Sequence, residues 1–212
     1  MSFLDAPSNN APRETLAEGK YTGVLYMVVD CGSRVDTFQG VDKIKREVYV
    51  CWELVDTEMA DGRPFVIGNF YTLTNGQWGP YFAKTSNACK MLKSWTGLDE
   101  QSCTKANLLG KLIRDRVPCT ITVGEQAGRK DPTRTYNIIE SVKPYKGSGT
   151  PVRINNAVVY ALSDGAPGAE VPEWLRNRIA DCLENTNPGA LVRKEADVAP
   201  PAAPVHDEDV PF

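Results

Sequence analysis

In the stretch 43–55, KIKREVYVCWELV, the lysine and tyrosine side chains occupy odd-numbered positions. Lys43, Lys45 and Tyr49 occupy odd positions, together with Glu47 and Glu53. The even positions are mostly apolar: Ile44, Val48, Val50, Trp52 and Leu54. A period of two is typical of a half-buried strand, in which one face packs and the other meets solvent. Cations beside an aromatic ring suit a polyanion that carries stackable bases. A solvated face with an incidental tyrosine explains this stretch equally well.

A second group of cations lies in the segment 124–134, GEQAGRKDPTR, between two predicted strands. Arg129, Lys130 and Arg134 would lie at the tip of a hairpin, because glycine and proline break the segment. Arginine and lysine side chains neutralise phosphates, and such contacts make nucleic-acid affinity fall as salt rises. The segment therefore predicts a second contact with an anionic backbone.

Three large aromatic residues lie close together in the loop 74–84, TNGQWGPYFAK. Trp78, Tyr81 and Phe82 follow one another among two glycines and a proline, which predicts a loop. Such rings could stack on bases, an interaction worth about 1–3 kcal/mol per base. Folding back as a lid on the end of a barrel explains them equally well.

Side chains that could support catalysis are few and scattered. Asp30, Glu47, Glu53 and Asp56 could hold Mg²⁺ for a nuclease, but no acidic-x-Lys cluster lies at a strand end. The one histidine, His206, lies in a Pro/Ala-rich tail, and the six cysteines are widely spaced without a CxxC pair. We expect no enzymatic activity, no metal and no cofactor, and we expect free buried thiols.

The net charge of −3 hides a split along the chain. Residues 1–149 contain 19 Lys+Arg against 17 Asp+Glu, residues 150–212 contain 5 against 10, and residues 84–146 contain 12 against 6. An anionic ligand would bind the more basic part. No apolar run resembles a signal peptide, and no window approaches the roughly 20 apolar residues of a membrane span. These features predict a cytoplasmic protein.

Three strands, a helix and two further strands follow one another in the predicted order of elements. The strands are predicted at 19–30, 43–55, 64–73, 117–123 and 135–142, and the helix at 86–95, with a second helical turn at 107–110. Gly23 indicates a bulge, Asp61-Gly62 a hairpin turn, and residues 31–42 a polar mobile loop. This order is that of the five-stranded OB barrel, which binds ligands on strands 2 and 3 and between the loops 1–2 and 4–5. SH3-like barrels share much of it.

Four regions divide the chain. Residues 1–18 are predicted as a disordered leader, 19–146 as the OB domain, 147–186 as a C-terminal extension, and 187–212 as a disordered linker with an acidic tip. The stretch 152–162 could add a strand or cover a sheet edge. Residues 171–184 predict a helix with one apolar face: Trp174, Leu175, Ile179 and Leu183. We expect it to pack on its own domain, and self-association as a homodimer is the less favoured reading.

The C-terminal residues form the most specific motif of the chain: Asp207, Glu208, Asp209, Val210, Pro211 and Phe212. This ending resembles the acidic tip of bacterial single-stranded DNA-binding proteins. A terminal ring fills an apolar socket, its carboxylate pairs with a basic residue, and the acids steer the tip toward basic surfaces. The resemblance implies docking of replication or repair proteins.

The body is similar to bacteriophage-encoded OB-fold single-stranded DNA-binding proteins. The stretches KIKREVYVCWEL, GRPFVIGNFYTLT, KMLKSWTG, NLLGKLI and RTYNIIESVKP carry this resemblance over much of 43–144, and the insert NGQWGPYF departs from it. It implies sequence-independent coating of single-stranded DNA during replication or recombination in an infected bacterium. The predicted DNA-binding residues are Lys43, Lys45, Arg46, Tyr49, Tyr71, Trp78, Tyr81, Phe82, Lys84, Arg129, Lys130, Arg134 and Tyr136. Trp52 is assigned to the core, since it cannot share a face with Tyr49.

Two other functions remain open at this point. An adaptor would use only its tail and would not bind DNA, and a Mg²⁺-dependent nuclease would need the scattered carboxylates. A titration with single-stranded DNA distinguishes the adaptor, and a product assay distinguishes the nuclease. Duplex DNA is expected to be a weaker ligand, and no membrane partner is expected.

Overall fold

A computed structural model describes residues 14–73, 82–128 and 131–191. The fold is mainly β, as predicted. Its strands are β1 Gly19–Phe38, β2 Val41–Glu58, β3 Pro64–Thr72, β4 Pro118–Ala127, β5 Thr135–Pro144 and β6 Val158–Tyr160. Its α-helices are α1 Asn87–Thr96, α2 Glu100–Cys103, α3 Asn107–Arg114, α4 Glu173–Ala180 and α5 Leu183–Thr186. Single 3₁₀ turns span Leu162–Asp164 and Pro188–Leu191.

The strands form one sheet with the order β3-β2-β1-β4-β5. Neighbours in this order are antiparallel, and β6 pairs in parallel with β1 at residues 27–29. The sheet curls until β3 and β5 line one cavity of about 430 Å³, but no ladder joins these two strands in the described residues. The predicted five strands and intervening helix are therefore present, in an open sheet.

The β1–β2 hairpin is longer than predicted. Residues 31–42, predicted as a mobile loop, continue both strands to the pair Phe38↔Val41. Gln39 and Gly40 make the two-residue turn, and both have positive φ (52° and 77°), as a type I′ hairpin requires. The prediction of a loop was wrong because polar side chains do not prevent two strands from pairing. Cys31 and Ser33 are also buried, and Ser33 donates hydrogen bonds to Glu184 of the C-terminal extension.

Irregularities in β1 bend this hairpin. The ladder shifts between Leu25 and Met27 and again between Asp30 and Ser33, whereas the bulge predicted at Gly23 is absent there. Gly32 lies in the second shift with φ 71°, and a Cβ there would lie 2.6 Å from the Cβ of Cys182. Only glycine permits this backbone conformation and this close approach.

The inner face of the sheet packs against α1 and α3 to form the main core. The predicted caps of α1 are confirmed: the Ser86 hydroxyl accepts a hydrogen bond from the Cys89 N–H at 3.1 Å, and Gly97 ends the helix with φ 69°. The rings of Trp52 and Trp95, both buried, meet at 6.1 Å in this core. The assignment of Trp52 to the core is therefore confirmed. The turn predicted at Asp61-Gly62 is also present.

The outer face of the sheet is covered by the C-terminal extension. A second apolar cluster forms between them from Met27, Val29, Cys31, Cys51, Val158, Tyr160, Val171, Leu175 and Ile179. The predicted C-terminal helix does pack on its own domain, but it breaks at Asp181 and Cys182 into α4 and α5. Residues 50–54 of β2 are therefore buried on both faces of the sheet.

Part of the predicted leader is also ordered. Leu16 is buried, and its backbone exchanges two hydrogen bonds with the Asn137 amide at 2.7 and 2.8 Å. Residues 14–18 therefore belong to the folded body, whereas 1–13 lie outside the described residues. Residues 188–191 form a 3₁₀ turn rather than linker, and 192–212 lie outside the described residues.

Among the described residues, no helix has both the length and the apolar character needed to cross a membrane.

Candidate nucleic-acid interface

The odd-numbered side chains of β2 lie on one face of the strand. This face is exposed near the hairpin tip and buried farther along the strand. Lys43 is exposed near the hairpin tip, and Lys45 forms an ion pair with Asp36 on the neighbouring strand. Farther along, Tyr49 is half-buried, and Glu53, predicted on the solvent face, is fully buried. The lysines are therefore accessible as predicted, but the same face is closed by the extension beyond Glu47.

Three aromatic rings meet where this face passes under the extension. The centroid of the Tyr49 ring lies 5.0 Å from that of Phe70 on β3 and 5.1 Å from that of Trp174 on α4. The Phe70 and Trp174 centroids are 6.1 Å apart, and Trp174 meets both rings edge-on at 81–89°. We call Tyr49, Phe70 and Trp174 the ring cluster. Within it Tyr49 packs between strands and helix, while the indole of Trp174 reaches solvent.

Arginines hold the ring cluster in place. The guanidinium of Arg178 lies 4.3 Å from the centroid of the Phe70 ring, a cation–π distance, and it donates a hydrogen bond to the Glu47 carboxylate. Arg34 on β1 donates to the backbone carbonyl of Arg178 in the last turn of α4. A cation at this end of a helix complements the helix dipole. These contacts position α4 across β1 and β2.

Arg46, predicted to bind DNA, lies on the even side of β2. Its Nε is 3.2 Å from a carboxylate oxygen of Asp30, and this hydrogen bond, with the charge of Asp30, raises the pKa of the guanidinium. The ion pair lines a cavity of about 350 Å³ between β1, β2, α3 and β6. Arg46 is therefore on the opposite side of the strand from Lys43 and Lys45.

Two of the predicted stacking rings belong to the core. Phe82 is 1% exposed, and Tyr71 is 6% exposed with its pKa raised to about 12 by burial. The assignment of these rings to the DNA-contacting surface was wrong, because each fills the space between the sheet and the helices. Trp78 and Tyr81 lie outside the described residues.

The β4–β5 hairpin keeps accessible predicted residues next to its connecting turn. Arg134 is exposed and pairs with Asp131 at 3.2 Å, and Tyr136 is 45% exposed. Arg129 and Lys130 lie outside the described residues. Lys84 is exposed beside Glu100 at 3.8 Å, on the helical side of the sheet. The predicted DNA-binding residues are thus distributed over the ribbon, a second hairpin and the helices rather than one face.

A basic groove on the helices was missed by the sequence analysis. Its volume is about 530 Å³, and its lining is Leu98, Ser102, Lys105, Asn107, Leu108, Gly110, Lys111 and Arg114. Among the described residues, no acidic side chain lines this groove. The excess of cations in 84–146 was the available signal, but the helix was predicted only to 110, which left Lys111 and Arg114 unplaced.

Comparisons of the chain with protein-family models, with curated proteins and with solved structures found no match. The site must therefore be interpreted from its own geometry.

All six cysteines are free and buried, as predicted. In the part of the chain that the structure describes, no three His, Cys, Asp or Glu side chains are grouped so that they could hold a metal ion.

Proposed function

We propose that the chain is a single-stranded DNA-binding protein built on an OB-type sheet. The strand order β3-β2-β1-β4-β5, with α1 to α3 inserted between β3 and β4, supports this assignment. An OB fold is a partly open five-stranded barrel with this order of elements. The edge strands β3 and β5 line one cavity, and this proximity supports a barrel-like arrangement although no ladder joins them in the described residues.

The observation that carries the proposal is that aromatic rings and cationic side chains lie next to one another on the outer face of β2. The ring cluster, Arg178, Lys45 and Lys43 follow one another along this face toward the exposed hairpin tip. Rings bind unstacked bases of any identity, and cations neutralise the phosphates beside them. The extended β1–β2 hairpin corresponds to the loop between strands 1 and 2 that grips oligonucleotides in OB folds.

This arrangement favours single strands over duplexes. Bases in a duplex are stacked and cannot reach a ring on a protein surface, so a duplex would gain only the phosphate contacts. Binding should tolerate any sequence, because ring stacking and phosphate contacts do not depend on the identity of the base. We propose that the protein coats and protects single strands during replication, recombination or repair in an infected bacterium, and that it is not an enzyme.

The acidic ending adds a second activity to the proposal. Residues 207–212 lie outside the described residues, and their sequence supports docking of replication or repair proteins. An adaptor that uses only this ending is the second candidate function. It needs neither the ring cluster nor the basic ribbon, so DNA binding separates the two candidates.

A titration of fluorescent oligo-dT, a mixed-sequence strand and the matching duplex tests the proposal. At 50 mM salt we expect similar affinities for the two single strands and weaker binding of the duplex. Raising salt to 200 mM should weaken all three, because counterions are released on binding. No binding to either single strand would leave only the adaptor, and Mg²⁺-dependent cleavage products would indicate the nuclease.

A triple variant of Lys105, Lys111 and Arg114 to glutamine tests the basic groove as the competing surface. We expect a small loss of affinity, since only the long-range field changes. A loss larger than that caused by changing Lys43 and Lys45 would place DNA on the helices instead of the outer face.

A further inference from the structure

Trp174 is the one member of the ring cluster that is largely open to solvent. Its side chain is 47% exposed, whereas Tyr49 and Phe70 are half-buried beneath it. It occupies the second position of α4, and Leu175, directly after it, is fully buried, so the helix is anchored in the second cluster. The indole is therefore held by a fixed helix and by two rings, with much of its surface uncovered.

The support beneath Trp174 differs from that of an incidental surface tryptophan. Both neighbouring rings meet it edge-on, at 5.1 and 6.1 Å between centroids. Gly68 on β3 leaves the space in which the Tyr49 ring lies, because a Cβ at that position would fall 2.5 Å from the tyrosine Cζ. Single exposed apolar residues are ordinary on protein surfaces, but a ring fixed on two further rings is preorganised for stacking.

Arg178 is the cation that shares the Trp174 side of α4, because it lies one helical turn later. Its guanidinium packs against Phe70, and Arg34 donates to its backbone carbonyl. Nε of Arg34 and Nε of Arg178 are buried and have no hydrogen-bond partner among the described residues. Glu173 precedes Trp174 on α4, and Glu47 on β2 is already paired with Arg178. The surroundings favour a ligand that carries a flat ring next to negative charge.

We propose that Trp174 is the base-stacking residue of the protein, so that the C-terminal extension forms part of the single-strand site. The ligand is an unpaired base of a nucleic-acid strand, and the adjoining phosphates lie toward Arg178 and Lys45. Tyr49, predicted as the stacking residue, instead supports the indole from below. This inference rests on the proposed function and names the surface that performs it.

Substitution of Trp174 by leucine and by phenylalanine tests the inference. Trp174→Leu keeps apolar volume but removes the ring, and its Kd for oligo-dT should rise about 5- to 150-fold, the range expected for one base–ring contact. Trp174→Phe should retain most of the affinity. Ile154→Ala removes an exposed apolar side chain from the same extension and should leave the Kd unchanged.

Intrinsic fluorescence gives a readout that does not depend on affinity. The chain has four tryptophans, and Trp52 and Trp95 are buried, so a Trp78→Phe background leaves Trp174 as the accessible reporter. Oligo-dT should quench this background strongly, and adding Trp174→Phe should abolish the quenching. This measurement decides the matter if Trp174→Leu lowers the melting temperature.

The two proposals fail in different ways. If wild-type protein binds oligo-dT, but Trp174→Leu binds equally well and quenching persists without Trp174, the stacking assignment is wrong and the proposed function stands. If wild-type protein binds no single strand at all, the proposed function itself is wrong.

Discussion

Glu53 Oε2 accepts two hydrogen bonds from Asn155, one from its backbone N–H at 2.8 Å and one from its side-chain amide at 2.7 Å. Oε1 of the same carboxylate accepts a third, from the Ile154 N–H at 2.6 Å. Glu53 is fully buried in the middle of β2, about 100 residues away in the sequence. The carboxylate therefore fixes the start of the extension on the outer face of the sheet.

Replacing Glu53 should loosen this attachment. Glu53→Ala leaves three N–H donors without their acceptor, and a fully buried unpaired donor costs about 1–3 kcal/mol. Ile154 is exposed and Asn155 is half-buried, so water can replace part of the lost acceptor, and we expect a loss of roughly 2–4 kcal/mol in the free energy of unfolding. Glu53→Gln keeps the shape and should cost about half as much. Urea denaturation measures both. Glu58→Ala, at the exposed end of the same strand, is the control and should change stability by less than about 0.5 kcal/mol; an equal loss there would contradict the attachment.

The sequence predicted the strands, turns and helix of the sheet domain. It did not predict that the C-terminal extension covers the outer face of the sheet. The helix caps and the hairpin turn lie where expected, at Ser86, Gly97 and Asp61-Gly62. Their hydrogen bonds join residues no more than four positions apart, so local sequence is enough to predict them. Glu53 was placed on the solvent face because period two cannot reveal that a segment 100 residues later supplies three donors. An apolar Cys51 between Tyr49 and Glu53 was the available sign that this face is also covered.

Local sequence also failed to predict which side chains of the candidate site are covered by distant segments. Lys43 is exposed and Lys45 is partly exposed, because both lie toward the tip of the β1–β2 hairpin, beyond the reach of the C-terminal extension. Tyr71 and Phe82 were misplaced because aromatic side chains at a strand end or in a loop serve the core and the surface alike. Trp174 was read as part of an apolar helix face, and only the packing of Leu175 and Ile179 shows that it points elsewhere.

Two buried tryptophans should respond differently to the same substitution. The indole N–H of Trp95 donates to the Pro118 carbonyl at 3.2 Å, whereas that of Trp52 has no partner among the described residues. Trp52→Phe removes an unpaired buried donor, which offsets part of the lost packing, so it should cost less stability than Trp95→Phe. Trp52→Ala should cost about 3–5 kcal/mol. Thermal denaturation of the three variants checks this order, and a larger loss for Trp52→Phe than for Trp95→Phe would contradict it.

The buried thiols should make stability depend on alkaline pH. Burial raises the pKa of Cys31 and of Cys51 from 9.0 to about 12. The unfolded chain releases these protons above about pH 9 while the folded chain retains them, so this stabilisation is complete below pH 9 and is lost as pH rises toward 12. A series of urea titrations should show a fall over that window, and Cys51→Ser should change its slope. A flat profile to pH 11 would show that both thiols ionise in the folded protein.

Thiol reactivity follows from the same burial. The thiolate is the reactive form, and raising the pKa of a thiol from 9.0 to about 12 lowers its thiolate fraction at pH 8 roughly 1,000-fold. We expect a thiol reagent to modify the native protein far more slowly than the protein in urea. Rapid labelling of any cysteine in the native state would identify a site that opens locally.

Charge removal on the ribbon should change the salt dependence of DNA binding. Each phosphate contact to a single strand contributes about 0.7 to the slope of log K against log salt. Lys43→Gln with Lys45→Gln should therefore lower the slope by about 1.4 and weaken all sequences alike. Lys90→Gln with Lys93→Gln, two exposed lysines on α1, is the matched control and should leave the slope unchanged. Equal slopes for wild type and the ribbon variant would remove the ribbon from the DNA path.

The acidic ending should bind proteins rather than DNA. Its three acids, together with Glu195 and Asp197, repel phosphates, so deleting 207–212 should leave single-strand affinity unchanged or raise it, most visibly at low salt where the acids are least screened. Removing Phe212 alone should abolish recovery of replication or repair proteins from bacterial lysate, because it takes away the ring and moves the terminal carboxylate to Pro211. Val210→Ala is the control and should matter less. Equal recovery of partners by the full-length chain and the Phe212 deletion would show that the ending is not a docking motif.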